Sequence, residues 1–96
     1  MFKKLSYDPA KRAKVIKERG LDFEDVGEVF SGNHFNQEDR RKEYGEVRYI
    51  TVGFLRKRMV IVVWTPRGTK RHIISLRKAN EREQKDYKED IKKSLD

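Results

Sequence analysis

The sequence predicts an α+β fold: two N-terminal helices packed on a small antiparallel sheet of three to four strands, followed by a C-terminal helix. Three observations lead there. Apolar residues recur at helical spacing near both ends, the central region alternates or runs apolar as strands do, and helix-start and helix-stop residues stand at the joins. One domain over residues 1–96 is expected, because a second core would lack the apolar surface to offset the entropy of ordering it.

Asp8-Pro9 marks the first helix start. The Asp side chain can accept from orphan amides, and proline at the first helical position forfeits no hydrogen bond. Gly20 ends that helix in a left-handed cap. Asp22 opens a second helix, with Leu21 and Val26 as a hydrophobic staple and Phe23, Val26 and Phe30 as its buried stripe, and Ser31-Gly32-Asn33 closes it. Residues 33–46 are polar and aperiodic, which predicts a long exposed loop.

From Val47 to Phe54 the residues alternate: Ile50, Val52 and Phe54 share a face with Arg48, while Tyr49 and Thr51 point the other way, as in a half-buried strand. Met59 to Trp64 is apolar throughout and β-branched at Val60, Ile61, Val62 and Val63, so it should be central and covered on both faces. Pro66-Arg67-Gly68 then turns the chain, and Thr69 to Ser75 returns as an adjacent strand. A short strand over Phe2 to Ser6 is a candidate for the sheet edge. Asn80 followed by Glu83 is a capping box opening the last helix, whose stripe is Tyr87, Ile91 and Leu95.

Charge is localised. The net charge of +8 divides into +5 over residues 1–20, −5 over 21–46, +9 over 47–78, where no acid occurs, and −1 over 79–96. A cationic block of that kind favours a polyanion such as RNA, since each phosphate neutralised by Lys or Arg releases counterions; a merely solubilising surface is the alternative. Lys11, Lys14 and Lys17 on the first helix, with Arg56, Lys57, Arg58, Lys70 and Arg71, are the candidate phosphate contacts. The absence of cysteine removes disulfides and thiolate metal sites and fits a reducing cytoplasm. His34 and His72 lack metal-ligand spacing, so neither a metal nor another cofactor is expected. The longest apolar run is too short to span a bilayer, and no signal peptide is expected.

Several motifs, in order and spacing, carry a resemblance: Tyr7-Asp8-Pro9-Ala10-Lys11, Gly20 to Asp25, Val29-Phe30, Gly45-Glu46-Val47-Arg48, Thr51-Val52-Gly53, Arg67-Gly68, and Ile73 to Asn80 followed by Glu83 and Tyr87. Together they resemble the BrnT family of type II toxin ribonucleases, whose fold is related to the RelE toxins. The resemblance implies a toxin that cleaves RNA without a metal and is neutralised by a BrnA-type antitoxin in a toxin-antitoxin hetero-oligomer. Family members tend to carry arginine before the Ile-Ile-Ser run, where this chain has His72.

Metal-free RNA cleavage needs a base for the ribose 2′-hydroxyl, an acid for the leaving oxygen and fixed cations for the phosphorane. His72 titrates near neutrality and is the candidate proton carrier, or alternatively a packed sheet residue. Arg77 can fork onto a phosphate, and Arg48 and Arg67 can complete the cationic site or form surface ion pairs. Glu83 can orient an arginine or act as a base, or serve only as the capping-box partner, and Tyr87 can stack on a base or plug the core. The competing reading is a non-catalytic RNA-binding or regulatory module of the same fold.

Overall fold

A computed structural model describes residues 4–94. In chain order the elements are β1 (Lys4–Tyr7), α1 (Pro9–Arg19), a 3-10 turn (Phe23–Asp25), α2 (Val26–Ser31), β2 (Phe35–Glu38), β3 (Tyr49–Leu55), β4 (Arg58–Arg67), β5 (Lys70–Lys78) and α3 (Glu81–Ser94). The strands form one mixed sheet in the order β1-β5-β4-β3-β2, with α1 and α2 on one face and α3 on the other.

This is α+β as expected, but the sheet has five strands instead of three to four, and it is not purely antiparallel. Two local facts account for the difference. Residues 35–38 pair antiparallel with β3, as Phe35 with Val52 through Glu38 with Tyr49, although only Phe35 touches a core; a polar edge strand held by backbone hydrogen bonds carries no hydrophobic period to betray it. The N-terminal strand adds to β5 in parallel, with Ser6 beside His72 and Tyr7 beside Ile73. That strand runs one residue beyond the expected end at Ser6, and the expected start at Phe2 lies outside the described residues. The helices also depart from expectation. A strand precedes them, and the second is a single 3-10 turn leading into six helical residues.

Local chemistry explains the elements that were anticipated. Asp8 caps α1 by accepting from the Ala10 amide at 2.9 Å, and Gly20, at φ 67°, closes it by donating to the Ile16 carbonyl at 3.0 Å. At α3 the capping box is reciprocal: the Glu83 amide donates to Asn80 Oδ1 at 2.8 Å, and the Asn80 amide donates to Glu83 Oε1 at 3.0 Å. Between β3 and β4, Arg56 (φ 49°) and Lys57 (φ 68°) both take left-handed conformations, as a two-residue hairpin turn requires.

β4 is the central strand and splits its side chains between two cores. Val60, Val62 and Trp64 pack with Val15, Leu21, Phe23, Val26 and Val29 beneath α1 and α2. Met59 and Ile61 pack with Ile50, Val52, Ala79 and Ile91 beneath α3. The strand expected to be half-buried is covered on both faces from Ile50 to Gly53, because helices lie above and below it. Within the second helix, Val29 is fully buried, and Phe30 is half-buried instead. Tyr87 and Ile91 lie on the α3 core as expected, and Leu95 falls outside the described residues.

Gly53 sits where Val29 of α2 packs against the sheet. A Cβ there would stand 2.8 Å from Val29 Cγ1 and 3.1 Å from His34 Cβ. Gly53→Ala is therefore expected to destabilise the fold by about 1–3 kcal/mol through overpacking. Thermal denaturation followed by circular dichroism reads this directly, and an unchanged midpoint would show that α2 is free to move away.

Candidate functional site

β5 carries the residues singled out from the sequence, and its register determines where they point. Val63 pairs with Ser75 but Trp64 pairs with Ile73, so Ile74 is an extra residue: a β-bulge. In a regular strand, positions 72 and 77 would face opposite sides of the sheet. The bulge shifts the alternation by one. His72 then stands opposite Thr65, Ser75 opposite Val63 and Arg77 opposite Ile61, all on the α3 face. α3 packs over β2 and β3, and Val63, His72 and Ser75 remain only half-buried on this face.

Two polar clusters occupy this face. At the Pro66 end, the Glu46 carboxylate lies 3.7 Å from both Arg48 Nε and Arg67 Nη2, and Arg48 also lies over the Tyr44 ring, 4.1 Å from its centroid. Arg48 Nε is buried and has no hydrogen-bond acceptor among the described residues. His72 belongs to this end. Its Nδ1 is 2.8 Å from Ser6 Oγ. Burial, and next the positive charge of Arg67, hold the imidazole pKa below 6.5; Lys11 acts in the same direction, whereas Glu46 and Asp8 oppose it.

At the other end, Arg77 donates to Glu83 through two parallel bonds, Nη1 to Oε1 at 2.8 Å and Nη2 to Oε2 at 2.7 Å. The Arg77 hydrogen bonds hold the Glu83 carboxyl at about 2, well below the ordinary 4.5. Glu83 thus serves as both capping-box partner and arginine holder, with the hydroxyl-bearing ring of Tyr87 one turn further along α3. Residues 72 and 77 are roughly 15 Å apart along the strand at about 3.3 Å per residue, so the two clusters are too far apart to surround one atom.

The other cations scatter. Lys11 and Lys14 line a cleft between α1 and the β5 edge together with Ile74 and Ser75, while Lys17 and Lys70 are exposed away from it. Arg19 donates to the Leu76 carbonyl at 2.9 Å, covering the part of that edge β1 does not reach. Arg56, Lys57 and Arg58 lie at the far hairpin, where the Arg56 amide is bonded to Glu28 and its guanidinium pairs with Asp25 at 3.4 Å. Arg71 points to the opposite face, stacked over Phe30 at 3.5 Å and Trp64 at 4.4 Å.

Sequence reasoning passed over Ser6, Glu46, Ser75, Asp39 and Arg41. The first two reach the site only through sheet pairing and a loop. Asp39 and Arg41, two apart in a polar stretch, carry a signal that was available, since an Asp accepting from the backbone two residues on is a common turn device. Among the described residues no three His, Cys, Asp or Glu side chains gather as metal ligands would. Nor is any helix there long and apolar enough to cross a membrane.

Fold and site together define a small basic α+β protein with an arginine-rich, partly open sheet face. The family model of the BrnT ribonuclease toxins of type II toxin-antitoxin systems matches residues 7–83, and the chain belongs to that family. Membership brings with it RNA as substrate and an antitoxin protein as partner. The match takes in both arginine clusters and stops at Glu83, short of Tyr87. No curated protein matches the chain.

Proposed function

We propose that this protein is a metal-independent endoribonuclease, a single domain over residues 1–96 related to the RelE toxins. It acts in the cytoplasm and is neutralised by an antitoxin of the BrnA type in a toxin-antitoxin hetero-oligomer. The observation that carries this reading is the bulge at Ile74, which turns His72, Ser75 and Arg77 onto one open face. Bulges recur beside active sites for this reason, because they re-aim a side chain.

In the proposed reaction, neutral His72 takes the proton of a ribose 2′-hydroxyl through Nε2. The 2′-oxygen attacks the adjacent phosphorus, the P–O5′ bond breaks, the 5′-oxygen leaves with a proton from water, and the hydroxide so formed takes back the proton held by His72. The products are a 2′,3′-cyclic phosphate and a 5′-hydroxyl. Arg48 and Arg67, held on either side of Glu46, face the developing phosphorane charge. Arg77, oriented by Glu83, and Tyr87 hold a neighbouring part of the strand. Lys11 and Lys14 supply further phosphate contacts from the α1 side.

Incubation of purified protein with total RNA in EDTA tests the proposal. Fragments ending in a cyclic phosphate are expected. RNA that is bound but left intact would sink the enzymatic reading in favour of a binding module.

A further inference from the structure

We infer that Arg41 and Arg77 together form a second phosphate site, away from the cleaved bond, that grips the backbone of a single RNA strand. The inference rests on the proposed ribonuclease reading and extends it with a residue, Arg41, outside the sequence-derived set. Both guanidiniums line one groove of about 550 Å³, floored by Ile50, Ile61 and Val63 and bordered by Ser75 and Tyr87.

The two arginines are built alike. Arg41 donates side-on, from Nε to Asp39 Oδ1 and from Nη2 to Asp39 Oδ2, both at 2.8 Å, and Arg77 donates end-on to Glu83 from Nη1 and Nη2, so each forms two parallel bonds to one carboxylate. In each case the acid lies behind its arginine. The Asp39 side chain is 0% exposed against 67% for Arg41, and Glu83 is 22% exposed against 44% for Arg77. Asp39 is further fixed by the Tyr44 hydroxyl at 3.2 Å and by the Arg41 amide at 3.2 Å, while its own amide donates to the Arg48 carbonyl at 2.7 Å.

Each guanidinium has five N–H donors and spends two on its carboxylate, so three remain for a ligand. Acids and arginines in the groove balance in number, with Glu38 paired to Arg40 at 3.2 Å, but the charge is layered. Asp39 and Glu83 lie inside while Arg41 and Arg77 face the solvent, and the Glu38–Arg40 pair is exposed at the rim. Arg41 also acts on Arg77 as a like charge, a repulsion that a bound anion between them would relieve. Holding both side chains in place beforehand lowers the entropy lost on binding. The groove lies on the same face as His72, one stretch of strand further along, where the next phosphates of an unpaired chain would pass.

The probe is a fluorescein-labelled single-stranded oligodeoxynucleotide, which lacks the 2′-hydroxyl and so is bound but not cut. Its affinity is measured by anisotropy over a range of salt. Arg41→Gln is expected to weaken binding roughly tenfold at low salt and to flatten the slope of log affinity against log salt by about 0.7, the value of one phosphate contact. Because that change leaves the Asp39 charge buried, the paired variant Asp39→Asn/Arg41→Gln is measured beside it, and the same loss is expected. Unchanged affinity and slope in the paired variant, with RNA still cleaved by the parent protein, would overturn the site and leave the ribonuclease reading standing. Loss of affinity in the paired variant, with a parent protein that cleaves no RNA, would support the site while removing the enzymatic reading.

Discussion

Replacing His72 by alanine is expected to slow RNA cleavage by about 10²- to 10⁴-fold while leaving the fold intact, the range lost when one positioned proton carrier is removed. The residue is half-buried and bonded to Ser6, but neither main core includes it, so its removal opens no large cavity. The pH profile adds a signed test. Burial and Arg67 hold the imidazole pKa below 6.5, so the neutral, base-competent ring persists below that pH. The cleavage rate should therefore be flat near neutrality and fall only on the acid side of 6.5. Arg67→Gln removes a positive charge that opposes protonation, and the acid limb should move upward as the overall rate drops. A His72→Ala protein that cleaves at the parental rate would remove this residue from the chemistry.

Trp64→Ala carries the largest expected cost in stability, about 3–5 kcal/mol, as for other buried aromatic truncations. Trp64 is 4% exposed. Its ring packs edge-on to Phe30 at 5.6 Å and tilted against Tyr49 at 5.0 Å, carries the Arg71 guanidinium, and donates Nε1–H to Thr51 Oγ1 at 2.8 Å. Thr51 in turn donates to Asn36 Oδ1 at 2.6 Å, so the chain of bonds reaches the edge strand β2. Small domains hold only about 5–15 kcal/mol in total, and the variant is expected to be substantially unfolded at 37 °C. Urea denaturation followed by circular dichroism measures it. Trp64→Phe, which keeps a six-membered ring but loses the buried pyrrole ring and its donor, should cost about 1–3 kcal/mol. A loss below that in Trp64→Ala would mean that the surrounding rings close over the gap.

Much of the site was legible as residue identity, and little of it as arrangement. The cationic, acid-free stretch 47–78 pointed to the sheet face that carries Arg48, Arg67 and Arg77. The Asn80 and Glu83 pair read correctly as a cap, but its second duty, holding Arg77, depends on the end of β5 lying beside the start of α3. Arg71 read as a candidate phosphate contact, and its guanidinium stacks on the aromatic side of the sheet, because the alternation places it on the face opposite His72. The bonds that tie Asp39, Arg41 and Tyr44 lie in the stretch read as a long exposed loop, either functional or merely mobile.

What the sequence determined by itself is local. Asp8 and Gly20 bound a helix, Asn80 and Glu83 start another, and the run Met59 to Trp64 is central because only a position between two layers suits six apolar residues in succession. Each follows from backbone dihedrals, caps or side-chain period within a few residues. Only the tertiary structure decided the parallel docking of β1, the polar edge strand β2 and the extra residue at Ile74. Those depend on backbone hydrogen bonds between segments far apart in the chain, to which side-chain pattern contributes almost nothing. The last of them settles whether His72 and Arg77 share a face, since a shift of one residue in a strand reverses every side chain beyond it.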